Sequence, residues 1–76
     1  MPRKAEANMC NRIRELRTDQ GMTQQDLADE IGVTRQTIVA IERGGYVPSL
    51  ALALKIAGVF ARTVESIFWI AKSARG

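Results

Sequence analysis

The stretch TQQDLADEIGVTRQTIVAIER, residues 23–43, limits what this chain can fold into more than any other. Leu27, Ala28 and Ile31 recur at helical spacing, so one face of a short helix is apolar. Thr23 stands where its hydroxyl can accept an orphaned backbone N–H, and Asp26 adds favourable charge to the first turn. Gly32 ends this helix, because glycine takes the left-handed closing conformation without strain. Val33 plugs the corner. Thr34 caps a second helix, whose apolar face is Ile38 and Ile41 with Thr37 flanking, and Gly44 ends it. The pattern predicts two short helices joined by a tight corner.

The second helix then presents Arg35, Gln36, Val39 and Arg43 outward. Arginine and glutamine are the side chains that read guanine and adenine edges through paired hydrogen bonds in a major groove. Their place in the first turn suits a recognition helix, whose N-terminal residues meet the bases. The plainer alternative is a pair of amphipathic helices with a solvated polar face. The framework Ala28–Gly32–Ile38–Ile41 favours a helix-turn-helix.

The segments LRTDQGMTQQDLA (16–28), IGVTRQTI (31–38), IERG (41–44) and VPSL (47–50) together resemble the Cro/C1-type regulators, also called the XRE family, which include the lambdoid phage repressors. The likeness runs from about Arg12 to Phe68 and is closest to small stand-alone members. It implies an all-α, five-helix, lambda-repressor-like DNA-binding domain with the helix-turn-helix at helices 2 and 3. It also implies that Arg35, Gln36, Val39 and Ala40 face base edges and that Thr23, Gln24 and Thr34 face phosphates. Arg17 and Glu42 match a structural pair that ties helix 1 to helix 3.

The chemistry of these residues refines the implication. Arg35 fits guanine N7 and O6, with a phosphate contact as its alternative; Gln36 fits adenine or supports Arg35; Val39 suits a thymine methyl. Ala40 is small, so close approach is its simplest role. Gln24 opens helix 2, where exposed N–H groups and the dipole suit a phosphate. Arg43 and the backbone of Gly45 and Tyr46 are placed for the opposite phosphate strand. Asp26, Asp29 and Glu30 would repel DNA and are expected on the solvent side.

Composition narrows the function classes. Seventy-six residues suit one domain, and 46% apolar content suffices for one core. The net charge of +3 permits a phosphate-binding surface without demanding one. One cysteine, Cys10, excludes an intrachain disulfide, and the absence of histidine removes the usual zinc ligand and the usual acid–base agent near neutral pH. Catalysis, cofactors and metals are therefore not expected, nor is a small-molecule ligand evident. No apolar run is long enough to span a membrane, and the N-terminus lacks the apolar core of a signal peptide, so a reducing, cytoplasmic setting is expected.

Along the chain, residues 1–7 read as a mobile basic tail, whose Arg3 and Lys4 are either solvated or a DNA-touching arm. Residues 8–70 read as the DNA-binding domain with its C-terminal dimerisation segment, and 71–76 as a polar tail. Helix 1 is expected from about Asn8 to Gln20, with Met9, Ile13 and Leu16 as its stripe, Cys10 at the edge, and Arg12 and Arg14 outward. Gly21 closes it. After the Gly44–Pro48 loop, Ser49 caps helix 4, Leu50 to about Phe60, with Leu50, Leu54, Ala57 and Phe60 inward and Leu52, Ile56 and Val59 on other faces. Gly58 lies inside this helix at a cost of about 1 kcal/mol, for which a close helix contact is one explanation. Thr63 caps a short helix 5, Val64 to about Phe68. The turn before it is Ala61-Arg62, where the family often carries glycine or asparagine.

Ile67-Phe68-Trp69-Ile70 is too apolar for a free tail. It forms a strand or packs on a second chain. Phe68 is expected inward or bridging, and Trp69 and Ile70 against their symmetry mates, as a homodimer interface that includes an intersubunit strand pair. Leu52, Val59 and Val64 are candidates to join it. The reading that accounts best for the polar helix face is a regulator of transcription that binds double-stranded DNA, a homodimeric repressor. Alternatives are the antitoxin half of a toxin–antitoxin pair and a protein-interaction adapter.

Overall fold

The computed structural model describes residues 9–71. Their order is β1 (Met9–Asn11), α1 (Ile13–Asp19), α2 (Gln24–Ile31), α3 (Arg35–Arg43), α4 (Leu50–Phe60), α5 (Val64–Ile67) and β2 (Phe68–Ile70). The basic arm with Arg3 and Lys4, and the tail from residue 72 onward, lie outside the described residues.

Three helices start on a hydroxyl. Thr23 accepts from the Asp26 N–H at 2.9 Å, and the Asp26 carboxylate accepts from the Thr23 N–H at 2.9 Å, which makes a complete capping box. Thr34 accepts from Thr37 N–H at 3.4 Å, and Ser49 from Leu52 N–H at 3.1 Å. At the other ends, Gly32 and Gly44 close α2 and α3 at φ 79° and 84°. A Cβ on Gly44 would stand 3.2 Å from the Met9 carbonyl oxygen, so both backbone conformation and space call for glycine there.

α5 differs. Thr63 holds the capping position without a cap bond, and instead the Ser66 hydroxyl donates to the Thr63 carbonyl at 2.8 Å. The turn before α5 is made by Ala61 at φ 53°, the one non-glycine residue with positive φ among the described residues. At the turn where the resemblance leads one to expect glycine or asparagine, alanine thus takes a left-handed conformation that is costly for it.

The core gathers Ile13 and Leu16 of α1, Leu27, Ala28 and Ile31 of α2, Ile38 and Ile41 of α3, and Ile67 and Phe68 at the chain's end, with Met22 and Val33 packed against it. Two expectations fail. Helix 1 does not begin at Asn8: Met9, Cys10 and Asn11 form an antiparallel pair with Ile70, Trp69 and Phe68. Met9 still packs on the core, but from a strand. Its four-residue separation from Ile13 fits a helix, whereas its partner lies at the far end of the sequence, beyond the reach of any local pattern.

The second correction concerns α4. The buried residues are Ala53, Ile56, Ala57 and Phe60, with Leu52 and Val59 packed against the core, while Leu50 and Leu54 are 70% and 56% exposed. α4 is apolar almost all round, so periodicity gives it no unique face. The small Ala53 and Ala57 occupy the buried side, where α4 packs on α2, and the two leucines stand clear.

Candidate nucleic-acid interface

Arg17 anchors the site. It is 7% exposed, and its guanidinium grips Glu42 through two bonds, Nε to Oε2 at 2.6 Å and Nη2 to Oε1 at 3.1 Å. Nη1 donates to the Met22 carbonyl at 2.9 Å. Gln24 adds a bond to Glu42 Oε1 at 3.2 Å. This network joins α1, the loop after it, the start of α2 and the end of α3, as the matching pair implies. No buried side-chain nitrogen or oxygen among the described residues lacks a partner. Such a network stabilises little in net terms but is costly to break on one side.

Above that pair lies an open cleft lined by Arg14, Thr23, Gln24, Val39 and Arg43. It brings together three expected phosphate contacts, Thr23, Gln24 and Arg43, and one expected base contact, Val39. Arg35 and Gln36 are exposed in the first turn of α3, and Ala40 is half-buried. Thr34 is exposed, but its hydroxyl is shared between the Thr37 N–H and the Thr37 hydroxyl, 3.1 Å away. Gly45 and Tyr46 are exposed as well; the Gly45 N–H donates to the Ala40 carbonyl at 3.3 Å, so a phosphate there would have to share it.

Asp26, Asp29 and Glu30 are exposed and none of them lines the cleft. Asp29 accepts from Gln25 at 2.9 Å. The Thr23 backbone N–H, and then its hydroxyl, hold the Asp26 carboxyl below the ordinary carboxylate range.

Two residues escaped the sequence reading of the site. Arg14 enters the cleft because it precedes Arg17 by three positions and shares its side of α1, a signal the sequence carries. Asn11 bridges β1, α1 and α3, a role that only the pairing of the chain ends creates.

At the terminal sheet, Phe68 is buried as expected, and Trp69 and Ile70 are 41% and 69% exposed. The Arg12 guanidinium lies over the Trp69 ring, 4.8 Å from its centroid. β2 pairs with the chain's own β1 along one edge, so any intersubunit strand pair would form on the other. Leu52, Val59 and Val64 pack against their own core, so the exposed apolar side chains are instead Leu50, Leu54, Tyr46 and Val47 with Trp69 and Ile70.

The sequence profile of the helix-turn-helix family matches residues 13–67, from the first core residue of α1 to the last of α5. The chain belongs to the Cro/C1-type, or XRE, helix-turn-helix family. It is 52% identical over 62 residues to YgzD of Bacillus subtilis (strain 168), an uncharacterized HTH-type transcriptional regulator, covering 82% of this chain and 94% of that one. The crystal structure of the restriction-modification controller protein C.AhdI from Aeromonas hydrophila matches with TM-score 0.65 and 37% identity, over 71% of this chain and 78% of that one. A crystal structure from Bacteroides fragilis, at 24% identity and TM-score 0.71 over 80% of this chain and 98% of that one, shares the fold. Within this helix-turn-helix family α3 is the second helix of the motif. No helix among the described residues is long and apolar enough to cross a membrane.

Proposed function

We propose that this chain is a sequence-specific regulator of transcription that binds double-stranded DNA, acting as a homodimeric repressor on a palindromic operator with α3 in the major groove. One observation carries the reading: Arg35 and Gln36 stand exposed on the first turn of α3, on a helix whose Val39 and Arg43 open into the cleft with Thr23 and Gln24. Base-reading groups and phosphate-binding groups thus occupy adjoining parts of one surface, as a docked recognition helix requires. The family and the regulators among its relatives support the same conclusion.

A single helix-turn-helix reads too few base pairs to select a site, and two-fold symmetry is the usual remedy. The exposed Trp69 and Ile70, with Leu50 and Leu54, supply apolar surface for a second copy. The test is footprinting of the DNA upstream of its own gene at several salt concentrations. Two symmetric half-sites about 34 Å apart are expected. Log affinity should fall with log salt at about 0.9 per phosphate neutralised. Binding without sequence preference, or indifferent to salt, would contradict the proposal.

A further inference from the structure

The terminal sheet touches the recognition helix at one end, and Asn11 makes the join. Its Nδ2 donates to the Ile41 carbonyl at 2.9 Å, across thirty positions of sequence, and its Oδ1 accepts from the Ile13 N–H at 3.1 Å. Both partners lie at helix ends. The Ile13 N–H is the first of α1, where Arg12 holds the capping position without a side-chain bond. The Ile41 carbonyl belongs to the last turn of α3, where it also accepts from the Gly44 N–H at 3.0 Å. Met9 of the same strand lies alongside: a Cβ added at Gly44 would stand 3.2 Å from its carbonyl oxygen.

We infer that Asn11 is a positioning residue for DNA reading: its amide fixes the C-terminal end of α3 to the paired chain ends.

The side-chain chemistry admits few substitutes. An N–H can only donate and a carbonyl can only accept, so the two partners set the orientation of the amide. Aspartate keeps the acceptor and loses the donor. Serine and threonine offer one oxygen for two jobs. The start of α3 is held by the Thr34 cap and its last turn by Glu42 on Arg17; Asn11 adds a tie to a different element, β1, whose partner strand carries Trp69 and Ile70. A helix free to tilt at that end would enter the groove at a variable angle and lose the alignment of Arg35 and Gln36 with base edges. Phosphate contacts tolerate displacement better than bidentate base contacts do.

This role rests on the DNA-reading function proposed above, and the test has one arm independent of DNA. Asn11→Asp in the full chain retains an acceptor for the Ile13 N–H but sets a carboxylate against the negative end of the α3 dipole. Asn11→Ser replaces the amide by one shorter hydroxyl that cannot bond both partners, without adding charge. In the DNA-free protein, amide exchange at Gly44 and Gly45 is expected to quicken about tenfold in both variants, with α1 amides little changed. Affinity for the footprinted operator should fall about tenfold, while affinity for unrelated duplex stays within about twofold of the unsubstituted chain. Unchanged exchange at Gly44 and Gly45 would overturn the tether. Equal losses on operator and unrelated duplex would reduce Asn11 to a structural role and overturn its part in reading. An unsubstituted chain without duplex preference would overturn the DNA function itself, and the positioning role with it, whatever the exchange arm shows.

Discussion

The α2–α3 corner and the paired chain ends are held by different kinds of bond. In the corner the helix ends are set locally: Thr23 with Asp26, Thr34 with Thr37, left-handed glycines at 32 and 44. The terminal sheet depends on partners at opposite ends of the chain, with Met9 opposite Ile70 and Asn11 opposite Phe68. Their surfaces differ too. The corner exposes arginine, glutamine and threonine, whereas the sheet and α4 expose tryptophan, isoleucine and leucine. A local scaffold suits a face that must meet a polymer in fixed geometry. Apolar groups left uncovered by a long-range element suit contact with another folded chain.

The largest expected effect lies at the Arg17–Glu42 pair, which ties the corner's second helix to α1. Arg17→Ala leaves the Glu42 carboxylate in a site where its side chain is 8% exposed, and should lower unfolding free energy by about 3–5 kcal/mol in denaturant titration. Replacing both partners, Arg17→Met with Glu42→Leu, should recover most of that loss. A single variant as stable as the unsubstituted chain would show that the corner stands without this tie.

Next comes the apolar side of the comparison. Trp69→Asp with Ile70→Asp should yield a folded monomer by analytical ultracentrifugation, with operator affinity lower by on the order of a hundredfold once paired binding is lost. A variant that stays dimeric would move the interface elsewhere, with the exposed Leu50 and Leu54 as the first alternative. One that unfolds would place these side chains in the subunit's own framework.

How far each region was legible follows from the same contrast. Caps, closing glycines and the apolar stripe of α2 and α3 act within a few residues, so the motif and its outward side chains could be read directly. Arg17–Glu42 came from the family likeness, and the structure supplies its bonds. β1 was hidden because Met9 satisfies helical spacing while its partners lie at the other end of the chain. The α4 face was hidden because a helix apolar all round offers no contrast, and packing selects alanines over leucines by size.

Smaller effects refine this picture. Among the described residues a Cβ on Gly58 would meet nothing within 4 Å, so none of them makes the close contact that would explain this glycine. Gly58→Ala should therefore raise stability by about 1 kcal/mol in thermal unfolding, through helix propensity alone. A loss would reveal a neighbour in the assembled state. The smallest effect concerns Asp26. Because hydrogen bonds to Thr23 lower its pKa in the folded chain, its contribution is present above the ordinary carboxylate pKa and disappears as pH falls through the lowered one. Asp26→Asn should flatten that part of the acid unfolding curve, and an unchanged curve would remove Asp26 from the account.

The central claim is that the outer face of α3 reads bases, and Arg35 tests it most directly. Competition binding of Arg35→Ala against operators changed one base pair at a time should show a loss of about 1–3 kcal/mol of discrimination, confined to one position in each half-site. A variant that is weaker on every sequence alike, with the full preference of the unsubstituted chain retained, would place Arg35 on a phosphate and contradict the claim.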